Sequence, residues 1–111
     1  MNSLTNYLRL KFGHEFSDKE VKVLCWLAYV ARNPESDLRE TYKEMVNDNA
    51  HWVQMLTSVA TKTVGSEGIH EIHQWIKAAE VTDRSQRRQY FMDCIITKTV
   101  IPLLHEGAFS A

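Results

Sequence analysis

The sequence predicts an all-α protein, a compact bundle of four to five helices forming one domain over residues 1–111 and associating as a homodimer. Three observations lead there. Apolar residues recur at helical spacing through most of the chain. Only four glycines and two prolines interrupt it, mostly where helices should end. The length suits one domain able to bury a core, and 44% hydrophobic with 24% charged residues is an ordinary globular balance.

A first helix is expected from Ser3 to Phe12. Ser3 serves as its N-cap, Leu4, Tyr7 and Leu8 form one face, and Gly13 provides a left-handed stop. The second helix has the clearest start in the chain. Ser17 and Glu20 make a capping box, with Phe16 and Val21 in the positions of a hydrophobic staple. It should run to Arg32 and stop before Asn33-Pro34. Two apolar stripes cover it: Val21, Leu24, Cys25 and Ala28 on one side, Val23, Trp26, Leu27 and Val30 on the other. A surface helix needs one stripe, so this helix is either central to the bundle or shared with a second subunit. The expected homodimer follows from that excess, with Trp26 and Tyr29 as interface anchors.

Pro34, Glu35 and Asp37 suit the start of a third helix. Its apolar positions repeat from Leu38 through Trp52, Leu56 and Ala60 to Gly65, and Asn47-Asp48-Asn49 is a candidate break. A short fourth helix from Glu67 to Ala79 carries Ile69, Ile72, Trp75 and Ile76 as its apolar set. Thr82 or Asp83 then caps a fifth helix reaching toward His105. Within it, Ile95, Ile96, Thr97, Thr99, Val100 and Ile101 are β-branched, so a strand over residues 94–101 is the rival expectation. Pro102 removes a backbone donor and should kink or loosen the helix.

Composition excludes several functions. Thirteen basic and fourteen acidic residues leave a net charge of -1, which does not suit a protein adapted overall to nucleic acid or an anionic membrane. The N-terminus lacks the apolar core of a signal peptide, and the longest apolar run, Val23 to Ala31, is about half a membrane span. A cytoplasmic location is expected. Cys25 and Cys94 both sit among apolar residues and read as reduced, buried and inert thiols. No nucleophile elbow, phosphate loop or dinucleotide fingerprint is present, and no catalytic residue, cofactor or metal ligand is assigned.

The histidines are the nearest approach to a metal motif. His70 and His73 are three apart where the zinc-protease pattern needs four. Glu67 and His70 fit Glu-x-x-His, the unit of di-iron bundles, with Asp48 and His51 as an imperfect second copy. A helical metal-binding protein is therefore a minor alternative, and His73 reads as a core-edge residue.

Arg84, Arg87 and Arg88 are the more informative cluster. They share one helical face in the first turns of the fifth helix, where the helix dipole opposes each by about 0.3–1 kcal/mol. They either pair with Glu80, Asp83 or Asp93, or they face an acidic partner or phosphate. A helix-turn-helix layout is suggested by the turn at Glu80-Val81-Thr82. Against it stand Gln86 and Gln89, where the motif seats apolar residues, and the lack of a glycine in the turn. The expectation is a small regulatory protein acting by protein–protein interaction, for example an anti-activator of a transcription factor. Trp26, Tyr29, Arg84, Arg87 and Arg88 are its expected contact residues, and nucleic-acid binding through the arginine helix is the alternative.

Overall fold

The computed structural model describes residues 3–33 and 50–110. Among them the chain forms α1 (Ser3–Phe12), α2 (Asp18–Arg32), α3 (Ala50–Thr63), α4 (Gly65–Ala78) and α5 (Arg84–Ile95). A π-helical turn (Ile96–Val100) and α6 (Ile101–His105) follow without a break. No strand occurs among the described residues, and no helix there is long and apolar enough to cross a membrane. The start expected for the third helix and the break at Asn47–Asn49 lie outside the described residues.

Local signals set the helix ends. Gly13 stops α1 with a φ of +73°, the left-handed turn that glycine adopts without a Cβ clash. The Ser17 hydroxyl accepts from the Glu20 N–H at 3.1 Å and the Glu20 carboxylate accepts from the Ser17 N–H at 2.8 Å, so the capping box is complete. At the other end of α2 the Asn33 side chain donates to the Tyr29 carbonyl, which satisfies an acceptor the helix itself cannot. Asp83 caps α5 by accepting from the N–H groups of Ser85 and Gln86.

α2 is the central helix. α3 packs against it on one side, and the π-helical turn and α6 on the other. Leu24, Leu27 and Ala28 are fully buried and Val23 nearly so. Each apolar stripe is thus covered in part within the chain, and Trp26 and Val30 of the second stay half-buried. The outward stripe is Lys22, Cys25, Tyr29 and Arg32, all exposed. This corrects the expectation for Cys25: its place on the helix puts it with the charged residues, away from Leu24 and Ala28.

Two polar clusters fasten the layers. Glu20, 3% exposed, accepts from Lys62 Nζ at 2.7 Å and from Ser58 Oγ at 2.5 Å, while Lys62 also donates to the Glu15 carbonyl at 2.7 Å. Burial pushes the Glu20 carboxyl up, but the bonds from Lys62, Ser58 and the Ser17 N–H together outweigh it and hold the pKa at about 2. At the far end, Tyr7 and Lys11 of α1 both donate to the Glu106 carboxylate. The Lys11 bond is the larger cause of a lowered Glu106 pKa, and the same carboxylate raises that of Tyr7. Leu8 of α1 is fully buried, so this helix is held by packing as well as by exposed charge.

The β-branched run from Ile95 to Ile101 is helical, not a strand. Its geometry is altered where the sequence requires it: the Ile101 N–H donates to the Ile96 carbonyl five residues back. The wider turn lies just before Pro102, which has no N–H and whose ring would collide with a carbonyl one α-turn earlier. Thr99 and Val100 of this turn are buried, against the α2 side of the bundle.

The α3–α4 junction is tight. Gly65 takes a φ of +75°, and Val64 lies so close to Gly68 that a Cβ there would stand 2.6 Å from the valine Cβ. Ile72 and Ile76 turn inward, but Trp75, expected in the same apolar set, is 39% exposed. It lies one position around the helix, beneath the Lys98 ammonium at 4.9 Å from the ring centroid, and Lys98 also pairs with Glu71 at 3.5 Å.

Candidate functional site

Three helices and one turn enclose a cleft of about 600 Å³. Trp52, Val53, Leu56 and Thr57 of α3 supply one wall at spacings of one, four and five residues, so two successive turns present the same face. Ile69, His73, Ile76 and Lys77 of α4 supply the second wall, again from one face. The third is Arg84, Arg87, Arg88 and Phe91 of α5, with Glu80, Val81 and Thr82 closing one end.

The cleft is amphipathic. Trp52, Leu56 and Ile76 are largely buried and form its apolar base with Phe91 and Ile69. Around them stand Lys77 and the three arginines. Neither Arg84 nor Arg87 forms an ion pair among the described residues, whereas Arg88 has other interactions. Asp83, one expected partner, uses its carboxylate to cap α5. Glu80 is the single carboxylate among the described lining residues.

Glu80 is also the non-glycine residue with a left-handed backbone among the described residues, at a φ of +56°. It follows the C-cap of α4, where glycine is favoured because a Cβ costs about 1–2 kcal/mol. A strained residue on the rim of a concave site is more often functional than one in an ordinary turn.

The arginine cluster expected from sequence is therefore brought together on one wall. Trp26 is placed differently from Tyr29. Its ring meets Trp52 edge-to-face, with centroids 5.3 Å apart and planes at 86°, so it buttresses a cleft residue without lining the cleft. Tyr29 is 47% exposed on the outer stripe of α2. His73, expected at the core edge, is exposed and stands with its ring 5.9 Å from that of Phe91, on the cleft wall.

Sequence reading missed Lys77, Trp52 and the α4 face. A signal was present for the α5 wall alone: Arg84, Arg87, Arg88 and Phe91 fall at i, i+3, i+4 and i+7, which joins cations to an apolar residue on one face.

The thiols differ in setting. Cys94 is buried and Cys25 is exposed. Partial desolvation raises both pKa values, opposed at Cys25 by Arg32 and reinforced at Cys94 by Asp93. No group of three histidine, cysteine or carboxylate side chains among the described residues could hold a metal ion, and Asp48 lies outside them. Comparison with protein-family models, characterised proteins and solved structures found no match to this chain.

Proposed function

We propose that the protein is a small regulatory module that acts by protein–protein interaction, an anti-activator or inhibitor that seats part of a partner, such as a transcription factor, in the α3–α4–α5 cleft. The observation that supports this reading is the cleft's pairing of an apolar base with a cationic rim. Interfaces of regulatory proteins concentrate binding energy in buried aromatic and arginine positions, while rim charges set orientation and association rate. Trp52, Phe91 and the arginines supply both. The homodimer expected from the excess apolar surface of α2 now rests on the exposed Tyr29 and Cys25 and the half-buried Trp26 and Val30, because Val23, Leu24, Leu27 and Ala28 are packed within the chain. The regulatory reading does not require it.

Affinity purification of the full chain from its native host tests this. A stoichiometric protein partner should be captured by the wild type and by a Lys19→Glu control on α2, and lost with Arg84→Glu/Arg87→Glu. Equal capture by all three, or none by the wild type, would refute it. Capture that disappears with nuclease and falls steeply with salt would instead support the nucleic-acid alternative.

A further inference from the structure

We propose that the natural occupant of the cleft is a single amphipathic helix of the partner, bearing carboxylates three or four residues apart beside its apolar anchors; this rests on the protein-interaction reading above. The walls first argue for a helix. All three long walls are α-helices, whose backbone groups are already satisfied. An extended peptide entering here would bring N–H and C=O groups onto an apolar base with no sheet edge to receive them. A helix carries its own hydrogen bonds.

The dimensions agree. From Ile69 to Lys77 the α4 wall rises about 12 Å, and from Arg84 to Phe91 the α5 wall about 10.5 Å, at 1.5 Å per residue. A helix presenting anchors at i, i+4 and i+7 covers about 10.5 Å. Two turns of the partner therefore match the α4 and α5 walls, and the α3 wall from Trp52 to Thr57 adds about 7.5 Å along the third side.

The charge decides the composition. Lys77, Arg84 and Arg87 face the cleft, Arg84 and Arg87 without ion pairs among the described residues, and Glu80 is the one carboxylate described in the lining. Docking a purely apolar or a basic helix would desolvate these cations with nothing in return. Carboxylates at i, i+3 or i+4 on the partner repeat the spacing of Arg84, Arg87 and Arg88. Nucleic acid is the poorer fit. These cations rim a concave, apolar-based cleft, which a stiff phosphate backbone would leave empty.

The test uses three stapled peptides of about 16 residues, long enough for four helical turns. The first places Leu, Phe and Leu at i, i+4 and i+7 with glutamates on the flanking positions. The second has the same anchors with lysines, and the third is the acidic peptide with two central prolines. A DNA duplex of about 20 base pairs is the fourth probe. Binding to the full chain is read by fluorescence polarisation at two salt concentrations. The acidic helix should bind at least about tenfold more tightly than the other probes, and Arg84→Glu/Arg87→Glu should weaken it by about tenfold or more. Glutamates in the first turns of α5 favour its dipole, so this variant should stay folded, and circular dichroism checks that. Equal binding of acidic and basic peptides, or of helical and proline-broken peptides, overturns the inference. So does arginine-dependent binding of the duplex with none of the acidic helix. If the purified partner is lost with the double variant yet no helical peptide binds, this inference fails and the interaction reading stands.

Discussion

Glu20 of α2 and Lys62 of α3 share a 2.7 Å hydrogen-bonded ion pair, with the carboxylate side chain 4% exposed and the lysine 28%. The same carboxylate completes the Ser17 capping box and accepts from Ser58. One side chain thus caps a helix and fixes the angle at which the next wall of the cleft meets the central helix. Because the folded pKa of about 2 lies below the ordinary 4.5, the ionised group favours the folded state above pH ~4.5. That contribution is lost as pH falls from there toward 2. At neutral pH it is of the order of 3 kcal/mol at 1.36 kcal/mol per pKa unit. Glu20→Gln should lower stability by about 2–3 kcal/mol at pH 7 and by far less near pH 2, read as urea midpoints across pH. A constant difference across that range would contradict the assignment.

Gly68 should not tolerate a side chain. The nearest obstacle to an added Cβ is the Cβ of Val64, at 2.6 Å, an atom fixed to the backbone and unable to rotate away. Helix propensity alone would make alanine the better residue by about 1 kcal/mol. Overpacking at a buried junction costs about 1–3 kcal/mol, so Gly68→Ala should be destabilising on balance. Thermal unfolding of the single variant and of Gly68→Ala/Val64→Gly, in which the obstructing Cβ itself is gone, separates the effects. The double variant should recover part of the loss through relief of the clash, although it also gives up the valine packing.

The helices were largely legible because their ends carry local chemistry. Ser17 and Glu20, Gly13, Asn33 and Asp83 each act within four residues of where they stand. Cys25 and Trp75 were misplaced for a different reason. Each is an apolar residue just beyond the buried arc of its helix, and sequence spacing alone does not show where that arc ends. The Glu20–Lys62 pair joins residues 42 apart and has no local signature. Pro102 announced a disturbance, but a full π-helical turn also needed the packing of Thr99 and Val100 against α2. The cleft was half legible: the arginine face was visible, and the two walls opposite it depend on how α3, α4 and α5 meet.

The two thiols should separate cleanly under alkylation. Cys25 is exposed on the outer stripe of α2, and Cys94 is 8% exposed in α5. Iodoacetamide at neutral pH should modify Cys25 first, though slowly, because partial desolvation raises its pKa and the thiolate is the reacting form. Cys94 should react only as the protein opens. Peptide mass mapping over time, with and without denaturant, gives the order. Modification of Cys94 first would mean that the π-helical turn beside it opens more readily than its packing implies.

Glu80 links backbone strain to the cleft, and two substitutions distinguish its roles. Glu80→Gly removes both the left-handed strain at a φ of +56° and the carboxylate on the rim. Relief of the strain, offset by the backbone entropy of glycine, should leave a gain of about 0.5–1 kcal/mol, or about 2–6 °C in Tm. Glu80→Gln keeps the strain and removes the charge alone, so its Tm should stay within about 2 °C of the wild type. Both substitutions take a negative charge from a cationic rim, and both should tighten binding of the acidic helical peptide by about twofold to fivefold, more at low salt than at high. If Glu80→Gly stabilises the fold while neither variant alters peptide affinity, the left-handed residue ends α4 and has no part in binding. If affinity rises with Glu80→Gln and the Tm does not, the carboxylate moderates the cleft's attraction for acid, which accounts for a strained glutamate where glycine would be more stable.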